Sequence, residues 1–389
     1  MRKKNLKKII CPNFGCSHLS IFGAEIVRGK TFMSNLAHDE MFDDDDIKEG
    51  VIYNKSAGTA YLIKDFIAIL LKDQDVDTIN SLDDLKKISQ TCSLEVKDVI
   101  QKTLARINES ADTDESVWNK EEMSYYDSEV LTPEKRNDMV SSIKNEYLHH
   151  IFIERKKYIL ENTAFDNGSS VLEVGCGNAR TIAHLIPLQS YNYPFVGIDI
   201  SFARLQVAKA AMPDGDFMQA SALNLPFKNG CFDNVIAFSS LHHLPSPLTG
   251  YKEIFRCAKT DGMLFINEPI IKPKLLSNPF LNWLKVLFET YEHSDHDNAI
   301  NLLDFELFFN EANLKEMNRH YYGSALRSFM ASKFFEKIGL TKYKFWWQFI
   351  IVLDDIFIKC FCRRVGVLGP GGVFISCKKD TKKSTHYVK

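Results

Sequence analysis

The chain has 389 residues, 45% hydrophobic and 25% charged, so it can bury a catalytic domain and one or two smaller units. Its formal net charge of −2 argues against a general nucleic-acid-binding protein, which usually has a basic face. The nine cysteines are scattered and odd in number, which favours reduced thiols in a cytoplasmic protein. No run reaches the roughly 18 uncharged apolar residues of a spanning helix, so we expect no transmembrane segment, although peripheral membrane contact stays open.

The first part of the chain is predicted to hold a small β-rich module, residues 1–75, and a helical linker, residues 76–135. The β-like runs SIFGAEIV and GVIYN flank an acidic loop, and AYLIKDFIAILL closes the module. LDDLKKISQTCSLEVKDVIQKTLARI has helical periodicity. NESADTDESVWNKEEMS is rich in charges and turn formers, which favours a linker.

Residues 136–389 are predicted to form the main domain, with an α/β, Rossmann-like, doubly wound sheet. The strand patterns SVLEVG, FVGIDI, DFMQA, NVIAFSS and MLFINEP alternate with helical patterns. Residues 274–364 interrupt this alternation as a helical insertion, with apolar segments at 274–290, 303–312 and 323–364. GVFISCKK is predicted to complete the sheet after the insertion.

The turn after the first of these strands has the pattern of a ligand-binding loop. Gly175 and Gly177 remove side chains that would keep a ligand from the backbone, and the next helix points its N-terminal amides there. Glu173 precedes the first glycine, and Asp199 ends the next strand, where a ribose-binding acid is expected. The glycine pair alone is compatible with any nucleotide.

Residues 124–270 resemble the class I S-adenosylmethionine-dependent methyltransferases of the type 11 group. VLEVGCGNA is similar to their first motif, GIDIS to the ribose-binding motif, SALNLPF to the adenine-edge segment, and CFDNVIAFSSLHHL and KTDGMLFINEP to the fourth and fifth strands. The resemblance implies S-adenosyl-L-methionine as the cofactor. It implies that these residues bind it: Glu173, Gly175, Cys176, Gly177, Asp199, Ile200, Ser221, Ala222 and Ser239.

Two positions depart from the pattern of that family. Ala179 stands at the third glycine of the loop, and Ser221 stands where the adenine-edge aspartate is expected. A hydroxyl accepts a hydrogen bond more weakly than a carboxylate, but the neighbouring amide of Ala222 could also serve. We interpret Cys176 as a small residue that fills the turn, because no partner base is evident.

His242, His243 and Glu268 are the candidate catalytic residues, because they follow the fourth and fifth strands at the expected cleft. Methyl transfer from a sulfonium needs mainly proximity and orientation, and a base only where the acceptor must lose a proton. Capping or packing by the histidines and a strand-end salt bridge by Glu268 remain alternatives. Tyr125 and Tyr126 could close over the methionine part of the cofactor.

ICPNFGC and AYLIKDFIAILL resemble the zinc-ribbon modules that accompany some methyltransferases. The second cysteine pair of that module is missing from residues 54–59, and Cys11 and Cys16 are wrongly spaced for the first. Together with His18 and His38 they match no standard zinc pattern. We therefore expect a degenerate, metal-free module that packs on the catalytic domain or helps to cover substrate.

The insertion is rich in phenylalanine and tryptophan, which predicts either a lid with its own core or an apolar site for a lipid-linked acceptor. Its most apolar run is flanked by basic residues: Lys342, Lys344, Lys359, Arg363 and Arg364. We expect a methyltransferase with a small-molecule acceptor, by O-methylation of a sugar, glycolipid or natural product. The alternatives are a tRNA or protein methyltransferase, a non-catalytic binding partner with this fold, and an NAD-dependent dehydrogenase.

Overall fold

The computed structural model describes residues 1–28, 31–36, 40–41, 43–76, 78–130, 132–144, 168–185, 195–269, 314–322, 339–340, 343–361 and 372–379. These ranges contain a 12-stranded sheet. Its strands are β1 (Ser20–Arg28), β2 (Thr31–Leu36), β3 (Asp46–Asn54), β4 (Thr59–Lys64), β5 (Ile67–Ile69), β6 (Val171–Val174), β7 (Phe195–Asp199), β8 (Asp216–Gln219), β9 (Phe232–Phe238), β10 (Ala258–Pro269), β11 (Leu314–Tyr322) and β12 (Gly372–Lys379). The described helices are α1 (Thr78–Thr91), α2 (Leu94–Glu109), α3 (Asp114–Ser128), α4 (Pro133–Lys144), α5 (Arg180–Leu185), α6 (Phe202–Ala211), α7 (Pro247–Cys257) and α8 (Lys344–Phe361).

The middle of the sheet is parallel and has the strand order of a doubly wound fold. The order is β11-β12-β10-β9-β6-β7-β8-β5-β4-β3-β1-β2. β6 pairs in parallel with both β7 and β9, so the strand order reverses at β6. Every residue of β6, β7 and β8 is buried, as expected for parallel strands covered on both faces. The predicted doubly wound α/β sheet is confirmed, and β6 lies at its switch point.

The last two strands of the chain, β11 and β12, lie at one edge of the sheet, and only β12 was predicted. β12 confirms that GVFISCKK completes the sheet, antiparallel to β10, and β11 is antiparallel to β12. No strand was predicted for β11, which lies inside the expected helical insertion. Its sequence, LKEMNRHYY, has little apolar alternation, so its strand conformation depends on pairing with β12. α8 agrees with the helix predicted within 323–364, whereas the segments 274–290 and 303–312 lie outside the described residues.

The N-terminal strands extend the same sheet. β1 to β5 pair antiparallel with their neighbours, and β5 pairs in parallel with β8, with Ala68 opposite Met218. α1 and α2 contribute to a buried cluster over this extension, which includes Leu62 and Val99. The predicted β-rich N-terminal segment is therefore present and continuous with the main sheet, while the domain boundary at residue 75 stays a prediction.

The cysteines of the N-terminal module lie in a hydrogen-bonded corner. Cys11 is buried, and its Sγ lies 2.9 Å from the Tyr61 hydroxyl oxygen. The Cys11 N–H donates to the Cys16 carbonyl at 2.8 Å. Burial, reinforced by the adjacent Cys11, raises the pKa of Cys16 to about 11. Within the described ranges no group of three or more His, Cys, Asp or Glu could hold a metal ion, and His38 lies outside them.

The segment predicted as a turn-rich linker forms the helix α3 instead. Thr113 Oγ1 accepts a hydrogen bond from the Ser116 N–H at 3.1 Å, and Ser116 Oγ accepts one from the Thr113 N–H at 2.8 Å. This reciprocal capping box satisfies amides that a helix start would otherwise leave unpaired. The turn-rich interpretation of this segment is wrong from residue 114 onward, because the turn formers there start a helix, while the assignment of residues 76–135 as a helical linker stays a prediction.

Candidate active site

The loop after β6 requires glycine at Gly175 for two physical reasons. Its φ of +69° lies in the left-handed region, which disfavours any residue with a Cβ. A Cβ at this position would also lie 2.2 Å from the Ser240 Cβ, well inside contact distance. Ser240 is held there because its hydroxyl donates to the Val174 carbonyl at 3.0 Å. The loop therefore lies directly against the turn that follows β9.

Left-handed backbone also occurs at four described residues that are not glycine: Asp65 and Phe66, in the turn between β4 and β5, and Ala179 and Ser239, at this site. Ala179 is completely buried with a φ of +60°, and Ser239 has a φ of +50°. This conformation costs a residue with a Cβ roughly 1–2 kcal/mol. The strain lies at the end of the β6 loop and directly after β9, where such outliers are typical of functional sites.

The Asp199 carboxylate, at the end of β7, holds the loop in place. It is only 8% exposed, and its Oδ2 accepts the Gly177 N–H at 2.7 Å while its Oδ1 accepts the Ser201 N–H at 2.9 Å. Burial raises the pKa of this carboxyl above its usual value, and the Arg204 guanidinium and the two amide donors partly offset that effect. A buried acid thus joins the two predicted cofactor motifs.

A cavity opens at the carboxyl ends of β6, β7 and β9. Its lining includes several residues predicted to bind the cofactor: Gly175, Asp199, Ile200, Ser221, Ala222 and Ser239. Glu173, Cys176 and Gly177 are not in that lining. Glu173 is 2% exposed, and burial raises the pKa of the Cys176 thiol well above its usual value, so this thiol is no activated nucleophile. Gly177 contributes through its hydrogen bond to Asp199.

The opposite side of the cavity is a face of α3 that sequence analysis missed, apart from Tyr126. Trp118, Asn119, Glu122 and Tyr126 line it, at a spacing that places them on one side of a helix. The Trp118 Nε1–H donates to the His243 carbonyl at 3.0 Å, and Asn119 Oδ1 lies 3.5 Å from the Ser221 hydroxyl. Helical spacing of these large and polar side chains was the available signal, but the polar composition of the segment concealed it.

α3 is also attached to α6, which follows the Asp199 strand. The Arg204 guanidinium lies 4.0 Å from the Tyr126 ring centroid and forms a salt bridge with Glu129. Asp127 accepts hydrogen bonds from the Ser201 hydroxyl and from the Ala203 N–H. These contacts connect both sides of the cavity at its Asp199 end.

The three candidate catalytic residues separate into two groups. His243 lines the cavity, and its Nε2 lies 3.1 Å from the Tyr126 hydroxyl. His242 and Glu268 are buried and outside the lining, with His242 Nδ1 2.6 Å from Glu268 Oε2. Glu268 Oε1 also accepts the Leu241 N–H at 3.0 Å. The buried pair therefore fixes the turn that carries His243, and His243 alone of the three faces the cavity.

Comparisons with known proteins identify the part of the chain that has recognisable relatives. Residues 172–266 match the family model described as a methyltransferase domain. A demethylmenaquinone methyltransferase of Lactococcus lactis is 33% identical over 129 residues, covering 32% of this chain and 48% of that protein. The O-methyltransferase cnsE of Penicillium expansum is 30% identical over 128 residues, covering 31% and 46% respectively. The chain thus spans about half the length of these curated relatives.

Among solved structures, phosphoethanolamine N-methyltransferase 2 of Haemonchus contortus, in complex with S-adenosyl-L-methionine, is similar at 15% identity and a TM-score of 0.40. The match covers 58% of this chain and 52% of that one. The family match and the sequence relatives together support a methyltransferase domain over residues 172–266 of this chain.

Proposed function

We propose that the chain is an S-adenosylmethionine-dependent methyltransferase with a small-molecule acceptor. The observation that carries this proposal is the cavity at the switch point, where the buried Asp199 carboxylate and the Gly175 loop face α3. Residues 136–389 would form the catalytic domain, with 274–364 over the acceptor side and 1–75 as an N-terminal module that extends its sheet. We assign α3, within the 76–135 linker, to the cofactor site.

The cavity offers groups that suit each part of the cofactor. Asp199 can accept hydrogen bonds from ribose hydroxyls, Ile200 can pack on adenine, and Ser221 and Asn119 can bind the edge of the base. The Glu122 carboxylate suits the positive charges of the methionine part. When bound, S-adenosylmethionine supplies an electrophilic methyl group on its sulfonium.

The hydrogen-bond donors of the loop after β6 suit a dinucleotide less well. A pyrophosphate needs loop amides that point at it, but the Gly177 N–H is used by the Asp199 carboxylate. The NAD-dependent dehydrogenase alternative therefore has less support than the sulfonium cofactor.

We assign the proton-accepting role to His243 and orienting roles to its neighbours. His243 lines the cavity and could take the proton of an acceptor hydroxyl, while Tyr126 and the carbonyl contact with Trp118 hold it in place. His242 and Glu268 would act as positioning residues below the turn. O-methylation remains our first hypothesis, supported by the relative named as an O-methyltransferase.

Calorimetric titration of the full chain with S-adenosylmethionine and with NAD tests the cofactor. We expect heat with the first ligand only; no heat with it, or tight binding of NAD, would overturn the proposal. For catalysis, methyl-labelled cofactor is offered with a panel of hydroxylated aromatic and lipid acceptors. His243→Ala should keep cofactor affinity and lose about 100-fold in turnover, and unchanged turnover would remove His243 from the mechanism.

A further inference from the structure

The outer face of α8 is an apolar stripe exposed to solvent. Phe345, Phe349, Val352 and Ile356 are between 49% and 60% exposed, and we call these residues the α8 stripe. Their spacing of four, three and four residues places them along one side of the helix, over about 17 Å. Large apolar side chains that are exposed singly are common, but a continuous row marks an interaction surface.

The other side of α8 attaches the helix to the protein. Ile350 and Asp354 are each 1% exposed, and Asp355 Oδ1 lies 3.7 Å from His320 Nε2 on β11. Of the two acidic residues of α8, Asp354 therefore lies on the inner side of the helix and Asp355 on its lateral side. Asp355 keeps a third of its side-chain surface exposed beside the stripe, but it faces His320, and the four side chains of the stripe itself are all apolar.

Basic residues occur in the sequence at both ends of α8. Lys342 and Lys344 precede the apolar run, Lys359 is exposed in the last turn, and Arg363 and Arg364 follow. A second copy of the chain would bring basic sequence ends of α8 together in either orientation of the paired helices, and within α8 only Asp355, at the side of the stripe, would offset their repulsion. An anionic lipid surface offers both an apolar layer and negative headgroups.

α8 contacts β11 near the end of that strand, since Asp355 approaches His320, two residues before Tyr322. β11 runs parallel to β10, because both strands are antiparallel to β12. Tyr322, the last residue of β11, therefore lies on the same side of the sheet as Glu268, near the carboxyl end of β10. The Asn267 side-chain N–H donates to the Tyr322 hydroxyl at 2.7 Å. None of the described helices combines the length and apolar character needed to cross a bilayer.

We propose that the α8 stripe docks the protein on the surface of an anionic lipid bilayer. The apolar side chains would enter the boundary between headgroups and acyl chains, and the exposed Lys359 would contact the headgroups, while the basic residues at both ends of α8 in the sequence would add positive charge. The docking itself is independent of catalysis. Delivery of an apolar acceptor from the lipid phase to the cavity is a consequence that rests on the proposed methyltransferase function.

The test is co-sedimentation of the full chain with vesicles of equimolar phosphatidylglycerol and phosphatidylcholine, and with vesicles of phosphatidylcholine alone. The wild type should pellet with the anionic vesicles, and less so at high salt. Phe349→Ser and Ile356→Ser should each lower the partition coefficient by about tenfold. Leu94→Ser, which removes an 86% exposed leucine from α2, is the matched control and should bind as the wild type does.

Circular dichroism and calorimetry with S-adenosylhomocysteine show whether each variant is folded. The proposal is overturned if the wild type stays in the supernatant with both vesicles, or if Leu94→Ser loses as much binding as Phe349→Ser. It is also overturned if the wild type is a dimer that Phe349→Ser dissociates, since the stripe would then be an interface between copies. Vesicle binding by a chain that does not bind S-adenosylmethionine would support the docking and reject the proposed function.

Discussion

The two walls of the cavity are built in different ways. The loop wall, Gly175 to Ala179 with Asp199, is fixed by backbone conformation and by a buried carboxylate that accepts two amides. The helix wall, from Trp118 to Tyr126, consists of side chains on a helix that docks through hydrogen bonds to distant residues. One wall depends on local backbone constraints, and the other depends on tertiary contacts.

This difference predicts how each wall responds to mutation. Changes in the loop wall force strain or leave buried polar groups unpaired, so they should be costly and should affect cofactor binding directly. Changes in the helix wall remove single hydrogen bonds at a docked surface, so their cost should be smaller and should depend on how well α3 stays in place.

Asp199→Ala should have the largest effect. Two amides lose a charged acceptor and the ribose loses its partner, so affinity for S-adenosylhomocysteine should fall at least about 100-fold. Calorimetry measures this loss, and Asp199→Asn, which keeps the size of the side chain, should bind with intermediate affinity. An unchanged dissociation constant for Asp199→Ala would place the cofactor elsewhere.

The raised pKa of Asp199 gives this wall a pH dependence. Because ribose hydroxyls need the ionised acceptor, affinity should fall as the pH drops through a pKa above the ordinary 3.8. The effect on folding has the opposite sign, since an acid whose pKa is raised by folding stabilises the protein at low pH and loses that contribution as the pH rises. Titrations at several pH values should show this step in the wild type and not in Asp199→Asn.

Gly175→Ala should be more harmful than Gly177→Ala. Both glycines have positive φ, but a Cβ on Gly175 meets Ser240 at 2.2 Å, whereas one on Gly177 has its nearest neighbour, Arg204 Nη1, at 3.8 Å. Strain alone should cost Gly177→Ala about 1–2 kcal/mol, and the clash should add about 1–3 kcal/mol for Gly175→Ala. Urea denaturation measures the free energy of unfolding of both variants. Equal losses in the two variants would show that the contact with Ser240 adds no cost.

Trp118→Phe probes the helix wall. It removes the donor to the His243 carbonyl, so we expect a loss of about 1 kcal/mol in stability and a cofactor affinity lower by about fivefold. Val117→Thr on the same helix is the control, because Val117 is 43% exposed. If Trp118→Phe weakened binding as much as Asp199→Ala does, the distinction between the two walls would be wrong.

Ala179→Gly should have the smallest effect. The substitution relieves the cost of a positive φ but removes a buried methyl group, and both contributions are about 1 kcal/mol. The free energy of unfolding should therefore change by less than about 1 kcal/mol. A large change of either sign in urea denaturation would show that the third loop position has a role beyond its backbone.

The loop wall and the parallel sheet could be predicted from the sequence, because glycine pairs and continuous apolar strands have local causes. α3 was missed because its start depends on the Thr113–Ser116 capping box inside a polar segment, and its position depends on contacts with His243 and Ser221. β11 was missed because its conformation comes from pairing with β12. The separation of His243 from the buried His242–Glu268 pair also required side-chain geometry that no spacing encodes.

The loop wall and the helix wall are expected to hold the same cofactor molecule. Hydrogen–deuterium exchange with and without S-adenosylhomocysteine tests this expectation most directly, because exchange reports on the amides of each segment separately. We expect the ligand to protect residues 175–179 and residues 114–128 together, and NAD to protect neither. Protection of the loop without α3, or the same protection by NAD, would contradict it.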